Sequence, residues 1–373
     1  MAKLFIKNDK RDWEDCPLEI EWGEKEENIV LDSKNGKIFA QFEKRNDKKY
    51  LVFIPHSMKK GEEIEYKIVK ANQIPEIVKL KDDGKETVDF FINEQLFTTY
   101  HYSGKVVRPY LNPVIGPEGK SVVRKPASSG NPEKFDHIHH RGIWVAHGDV
   151  NGTDNWSEEE GHGGTVCKKF LEITSGPVFG KLHSLNDWVN NKGKKILEEE
   201  RIITVYNLPE HARIIDHKII LRASEGEVVF KDTKESGLLS VRVAPSMEVR
   251  NTGKFENSYG GVNEEECWGK RANWCDYYGK VDNVLVGVSI FDHLDNLRYP
   301  TWWHIRNYGL MTANFFGLSD FYGDKKISGT YILPAYQELK LYYRIYIHSG
   351  DTQTAKVREK YLNFLYFPAI TLK

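Results

Sequence analysis

The sequence predicts an all-β (mainly β) fold of antiparallel sheets packed face to face. Short runs of β-branched and aromatic residues recur along the chain, and several alternate apolar with polar at period two. Clusters of Gly, Asn and Asp, rather than helical periods, separate these runs. The clearest strands are residues 37–43, 49–54, 87–92, 201–206, 217–222, 227–230, 284–291 and 339–347. One helix is expected near the end, capped by Asp351 or Thr352. Val357, Tyr361, Leu362 and Leu365 share a face, and Pro368 stops it. Before residue 95 the segments are rich in Lys and Glu and poor in His, Trp and Gly; afterwards His, Arg, Trp, Asn and Gly cluster tightly. Residues 1–95 therefore read as an N-terminal β accessory portion and residues 96–373 as the working domain.

Composition narrows the function. With 53 Lys+Arg against 54 Asp+Glu in 373 residues, no basic excess exists to neutralise a nucleic-acid backbone. The apolar runs are far shorter than the ~18 residues a membrane helix needs, and the first residues lack an apolar signal core. Four cysteines (Cys16, Cys167, Cys267, Cys275) form neither a disulfide framework nor a C-x-x-C pair, so a reduced, cytoplasmic protein is expected. Phosphate-cradling glycine loops and a G-x-S-x-G elbow are absent. The notable excess is aromatic, at 12% with nine Trp.

Four groups of residues stand out. The densest runs from Asp136 through His137, His139, His140 and Arg141 to His147 and Asp149; five of the 13 histidines fall between His137 and His162. Imidazoles titrate near neutrality, so this cluster suits proton transfer, ligand binding or metal ligation. On an extended segment His137 and His139 share a face, a spacing that fits a divalent metal with oxygen from Asp149 or Glu158. The bland alternative is histidines bonded to loop backbone. The following polar turn delivers Trp156. Second, on a strand Trp302, His304 and Arg306 would point to one side, offering ring stacking and planar donors to a polyhydroxylated ligand. A tryptophan pair in the core is the competing reading. Third, Leu239, Val241 and Val243 would face a core and Ser240 and Arg242 the other way, with Asp232 and Lys234 close enough to pair. Fourth, Arg108 precedes Pro109 and Pro113, an arrangement suited to a sheet edge or cavity wall, with Arg124 downstream.

Several stretches together resemble the PmoA-like family, soluble proteins labelled "methane oxygenase". They are Arg108-Pro-Tyr-Leu-Asn-Pro, Asp136-His-Ile-His-His-Arg-Gly-Ile-Trp, Asp232-Thr-Lys-Glu-Ser-Gly-Leu-Leu-Ser-Val-Arg242, Pro300-Thr-Trp-Trp-His-Ile-Arg-Asn-Tyr-Gly and Ala313-Asn314-Phe. The resemblance covers roughly residues 95–350. It implies a galactose-mutarotase-like β-supersandwich that places a sugar in an open cleft on one sheet.

The resulting expectation is a carbohydrate-active enzyme of hydrolase, lyase or epimerase type, acting on a sugar, a glycoside or an oxidised sugar derivative. His139 or His140 would be the general acid or base, with His304 opposite and Asp149 assisting. Arg108, Arg124, Arg141, Arg242 and Arg306 would hold oxygens, with His147 and Asn314 in the binding set, and Trp156 and Trp302 would stack on the ring. Two alternatives remain: a non-catalytic sugar-binding or sensing module, and a metal-dependent enzyme using His137 and His139. The expected partner is a small carbohydrate, with neither nucleic acid nor membrane; no cofactor is firmly implied beyond that possible divalent metal.

Overall fold

The computed structural model describes residues 3–23, 28–126 and 136–373. Three antiparallel sheets dominate. An eight-stranded site sheet runs Trp303–Ile305, Leu310–Ala313, Ser236–Arg242, Ile143–His147, Tyr110–Val114, Gln95–His101, Thr87–Ile92, Val78–Asp82. A second eight-stranded sheet, the middle sheet, begins at the edge with Gly164–Thr174 and ends with Lys254–Asn257. Alternation decides what lies between them. Ile143 and Val145 of the site sheet join Ile215, Ile290 and Ile345 of the middle sheet in one core. The expected two-sheet supersandwich is thus present.

The neighbours of those middle-sheet residues face the other way. Ile214, Phe291 and Tyr346 pack with Leu4, Ile6, Leu51 and Phe53 of a seven-stranded N-terminal sheet, and with Val357 and Tyr361 of the C-terminal helix. The middle sheet is therefore covered on both faces, which is why its strands Ala212–Arg222, Val284–Asp292 and Glu338–Ser349 carry long apolar runs. The helix spans Val357–Leu365, as its apolar spacing predicts, but its start differs. Lys356 stands before it at φ 53° with no side-chain cap, while Asp351 Oδ1 accepts the Thr354 N–H of the preceding turn.

Sheet membership changes between Lys70 and Val78 rather than at residue 95. The strands Val78–Asp82 and Thr87–Ile92 pair within the site sheet, and the last strand, Ala369–Leu372, pairs with Lys3–Lys7 in the N-terminal sheet. The Arg108 segment also departs from expectation. Tyr110–Val114 lies inside the sheet, between Gln95–His101 and Ile143–His147, and a register shift between Leu111 and Val114 absorbs Pro113. Among the described residues no helix is long and apolar enough to cross a membrane, and the four cysteines are unpaired.

Candidate functional site

The outer face of the site sheet carries its own small cluster, separate from the core beneath. Tyr110, Trp144, Ala146 and Leu310 alternate with the inward-facing residues of their strands and meet Trp156 there. Beside them the chain makes a turn. Asp136–His140 is not extended: His137 takes φ 48° and the His140 N–H donates to His137 O at 3.0 Å. The even spacing of His137 and His139 on one strand face therefore does not exist. The turn instead packs three imidazoles together, with His137 stacked on His140 at 4.9 Å and His139 edge-on to His140 at 4.5 Å.

Two buried arginines hold this turn. Arg124 donates to the carbonyls of Asp136, His137 and His140 (2.9, 2.6 and 3.2 Å) and to Asp136 Oδ1 at 2.8 Å. It is a positioning residue for the histidines. Arg242 lies opposite Leu310 on the outer face, with Leu239, Val241 and Val243 in the core as their alternation predicts. It donates to His140 Nδ1 at 3.1 Å, to Asp136 Oδ1 at 3.0 Å and to Glu248 Oε1 at 3.3 Å. Burial alone would raise the Asp136 carboxyl. Arg242 and the His137 hydrogen bond override that and hold it at about 2.

His140 stacks on Trp144 at 5.1 Å and meets Trp156 edge-on at 5.7 Å. Because a guanidinium only donates, Nδ1 of His140 is the acceptor and its proton sits on Nε2. Burial, then the charges of His139 and Arg242, push its pKa well below the ordinary imidazole value. His139 is half-buried and pushed to about 4 by burial and by Arg108. It meets its neighbours through ring contacts, with neither ring nitrogen hydrogen-bonded among the described residues. Arg108 donates from Nη2 to Ser157 O at 2.8 Å and stands 3.6 Å from Glu158. Glu158 is itself gripped by Arg141 at 2.6 and 2.7 Å.

The other expected site residues lie elsewhere. His304 occupies the same outer face, in register with Thr312, which pairs with Ser240, which pairs with Trp144. At ~4.8 Å per strand that row places it about 14 Å from Trp144. Trp268 Nε1 donates to its Nδ1 at 2.9 Å, so its proton also sits on Nε2, and burial pushes it to about 3. Arg306 faces Glu264 at 2.9 Å and lies over the Tyr308 ring. Trp302 falls outside the three-residue strand Trp303–Ile305. It packs into the core, with Arg271 over its ring. His147 points inward against Phe316 and bonds Ser236 Oγ at 2.5 Å. Asp149 accepts the Gly152 N–H and pairs with Lys231. Asn314 is fully used by the backbone of Thr233, Lys234, Phe316 and Gly317. Asp232 is taken by Ser319 and Gly329 rather than by Lys234. Among the described residues no three His, Cys, Asp or Glu side chains gather as a metal-ligand set, and His137 Nδ1 bonds Asp136.

Tyr308, which sequence reasoning passed over, joins the two regions. Its ring stacks on His137 at 5.1 Å and lies under the Arg242 guanidinium at 4.8 Å. Its signal was its place in the turn, two residues after Arg306 and just before Gly309.

Gly142, following the double histidine and Arg141, has φ +98°, and a Cβ there would lie 2.3 Å from Leu111 O. Gly142→Ala is therefore expected to cost more than about 3 kcal/mol, from both backbone strain and overlap. A denaturant midpoint unchanged from wild type would contradict this.

Neutral buried histidines also set a pH dependence. His217 and His304 are pushed to about 3 and His139 and His147 to about 4, in each case first by burial. Below pH ~6.5 the unfolded chain binds protons these groups refuse, at up to about 1.4 kcal/mol per pH unit each. Asp292, raised to about 7 by burial, acts in the opposite sense between about 4 and 7. The histidines outnumber it, so the melting temperature is expected to fall from pH 6.5 to 4.5. Calorimetry showing a flat or rising temperature over that range would contradict this account.

Residues 87–362 match the family described as "Family of unknown function (DUF6807)", and the chain belongs to that family. No curated protein matches it. One similar solved structure is a galactose mutarotase related enzyme from Lactobacillus acidophilus. It is 10% identical over 73% of this chain and 97% of that one, with a TM-score of 0.31. Another is a GalM/aldose epimerase homologue from C. elegans, 9% identical over 74% of this chain and 100% of that one, with a TM-score of 0.32.

Proposed function

We propose that the outer face of the site sheet binds a carbohydrate and that the protein is a sugar-converting enzyme, of the kind the PmoA-like resemblance implies. One observation carries the reading. Two indoles, three imidazoles and the Tyr308 ring gather around buried guanidinium groups, with several N–H groups left without partners. Aromatic faces stack on the C–H faces of a pyranose, while the N–H groups meet its oxygens.

The division of labour differs from a pair of histidines working as acid and base. His140 keeps its proton on Nε2, which makes it a hydrogen-bond donor to a developing negative oxygen, while His304, protonated the same way, lies three strands from Trp144 and is not paired with it as acid and base. His139, neutral above about pH 4, is the group left to accept a proton. That single base also favours a second reading, a non-catalytic sugar-binding module.

Intrinsic tryptophan fluorescence titrated with monosaccharides and disaccharides tests the proposal. A sugar that quenches the wild type but not the Trp156→Leu variant is expected. Quenching by none of them, or equal quenching in both proteins, would contradict it.

A further inference from the structure

We infer that the ligand carries a carboxylate, and that the cluster around His140 takes it up: the substrate is a sugar acid such as a uronate rather than its neutral parent. This rests on the carbohydrate reading above and specifies it.

The inference comes from what remains after the cluster's own partners are paired. Every carboxylate there is engaged. Asp136 takes Arg124 and Arg242, Glu158 takes Arg141, and Glu248 takes Arg242 and Arg250. Asp154 accepts the N–H groups of Trp156 and Ser157 and the Ser157 hydroxyl. Buried around the turn and without a hydrogen bond among the described residues are Trp144 Nε1, Trp156 Nε1, His140 Nε2, Arg242 Nε, and Nε and Nη1 of Arg108, the last 3.6 Å from Glu158. All of these donate. The two indole N–H groups have no other capacity, and Arg242 fixes the His140 tautomer so that Nε2 carries the proton. The neighbouring Asn155 amide, also unpartnered, packs against Gly163.

Buried polar groups in a folded protein normally find partners, so a concentration of unpaired donors marks a missing acceptor. The unpaired donors outnumber the free acceptors beside them, Asn155 Oδ1 and one ring nitrogen of His139, so a group rich in lone pairs fits them better than a hydroxyl, which brings a proton of its own. A carboxylate brings about four acceptor positions and no proton. Its bonds to guanidinium and N–H groups are charge-assisted, and they strengthen in a buried setting. The Arg108 guanidinium supplies the charge. Burial lowers it to about 10, and Glu158 at 3.6 Å compensates only partly.

The test is calorimetric titration of the full chain with glucuronate and galacturonate, with glucose and galactose, and with glucose 6-phosphate. The uronates are expected to bind at least about 10-fold more tightly than the neutral parents. Trp144→Phe and Trp156→Phe each delete one N–H and keep an aromatic ring, and each is expected to cut the uronate preference about 5–10-fold. If either variant loses its fold by circular dichroism, Arg108→Gln makes the same comparison. Equal binding of uronates and neutral sugars would overturn the carboxylate while leaving the carbohydrate reading intact. Tighter binding of the phosphate would also overturn it, assigning the donors to a phosphoryl group. Binding of none of these would overturn both.

Discussion

Replacing Arg242 by methionine is expected to destabilise the protein by about 3–5 kcal/mol, the range seen when one partner of a buried ion pair is removed. Arg242 is 1% exposed and serves three partners from one guanidinium: Asp136, Glu248 and His140. Methionine fills much of the volume but leaves His140 Nδ1 without a donor. Glu248, itself 2% exposed, would retain only the Arg250 contact at 2.6 Å. The same change should raise the Asp136 carboxyl from about 2 toward its ordinary value, because Arg242 is the charge that chiefly opposes burial there. Arg306 is the control. Its pair with Glu264 leaves both side chains 28% exposed, so Arg306→Met should cost under about 1 kcal/mol. Urea denaturation separates the two. A loss below about 1 kcal/mol for Arg242→Met would mean that the histidine turn is not held from the sheet.

The second large effect is on turnover. His139→Ala should lower kcat by roughly 10²–10⁴-fold on whatever sugar the protein converts, the usual worth of a general acid or base. His139 is the histidine of the turn with both ring nitrogens free of hydrogen bonds among the described residues, and its neighbours touch it through ring contacts. Removing it therefore spares the Arg124 and Arg242 network, and the melting temperature should move little. The wild-type rate should hold from pH 7 to about 5 and fall as His139 protonates near 4. A folded His139→Ala protein with full turnover would remove His139 from the chemistry. A wild type that binds sugar yet converts none would favour the binding-module reading.

Much of the fold was legible because strand periodicity is a local property. Residues 87–92 are the strand Thr87–Ile92, and the reading of residues 239–243 assigned the correct face to Val241 and to Arg242. The layering was less legible. Ile214 and Ile215 are equally apolar, and the sequence does not say that one faces the N-terminal sheet and the other the site sheet. Side-chain direction failed where a strand was shorter than its pattern. Alternation along a longer strand would set Trp302 beside His304, but the strand begins at Trp303 and Trp302 packs into the core. The histidine turn was invisible for another reason. Its shape is imposed by Arg124 and Arg242, 12 to 106 residues away, and local reading of Asp136–His140 returns only an extended segment. The donor cluster likewise emerges only when Arg108, Trp144 and Trp156 are seen with their partners already assigned.

The proposed ligand site is the outer face of the site sheet, against the turn held by Arg124 and Arg242. Hydrogen–deuterium exchange with and without a uronate shown to bind tests it most directly. Slowed exchange is expected in residues 136–144, 154–158 and 303–310, with residues 3–70 unchanged. Slowed exchange confined to the N-terminal sheet, with the histidine turn unaffected, would contradict it.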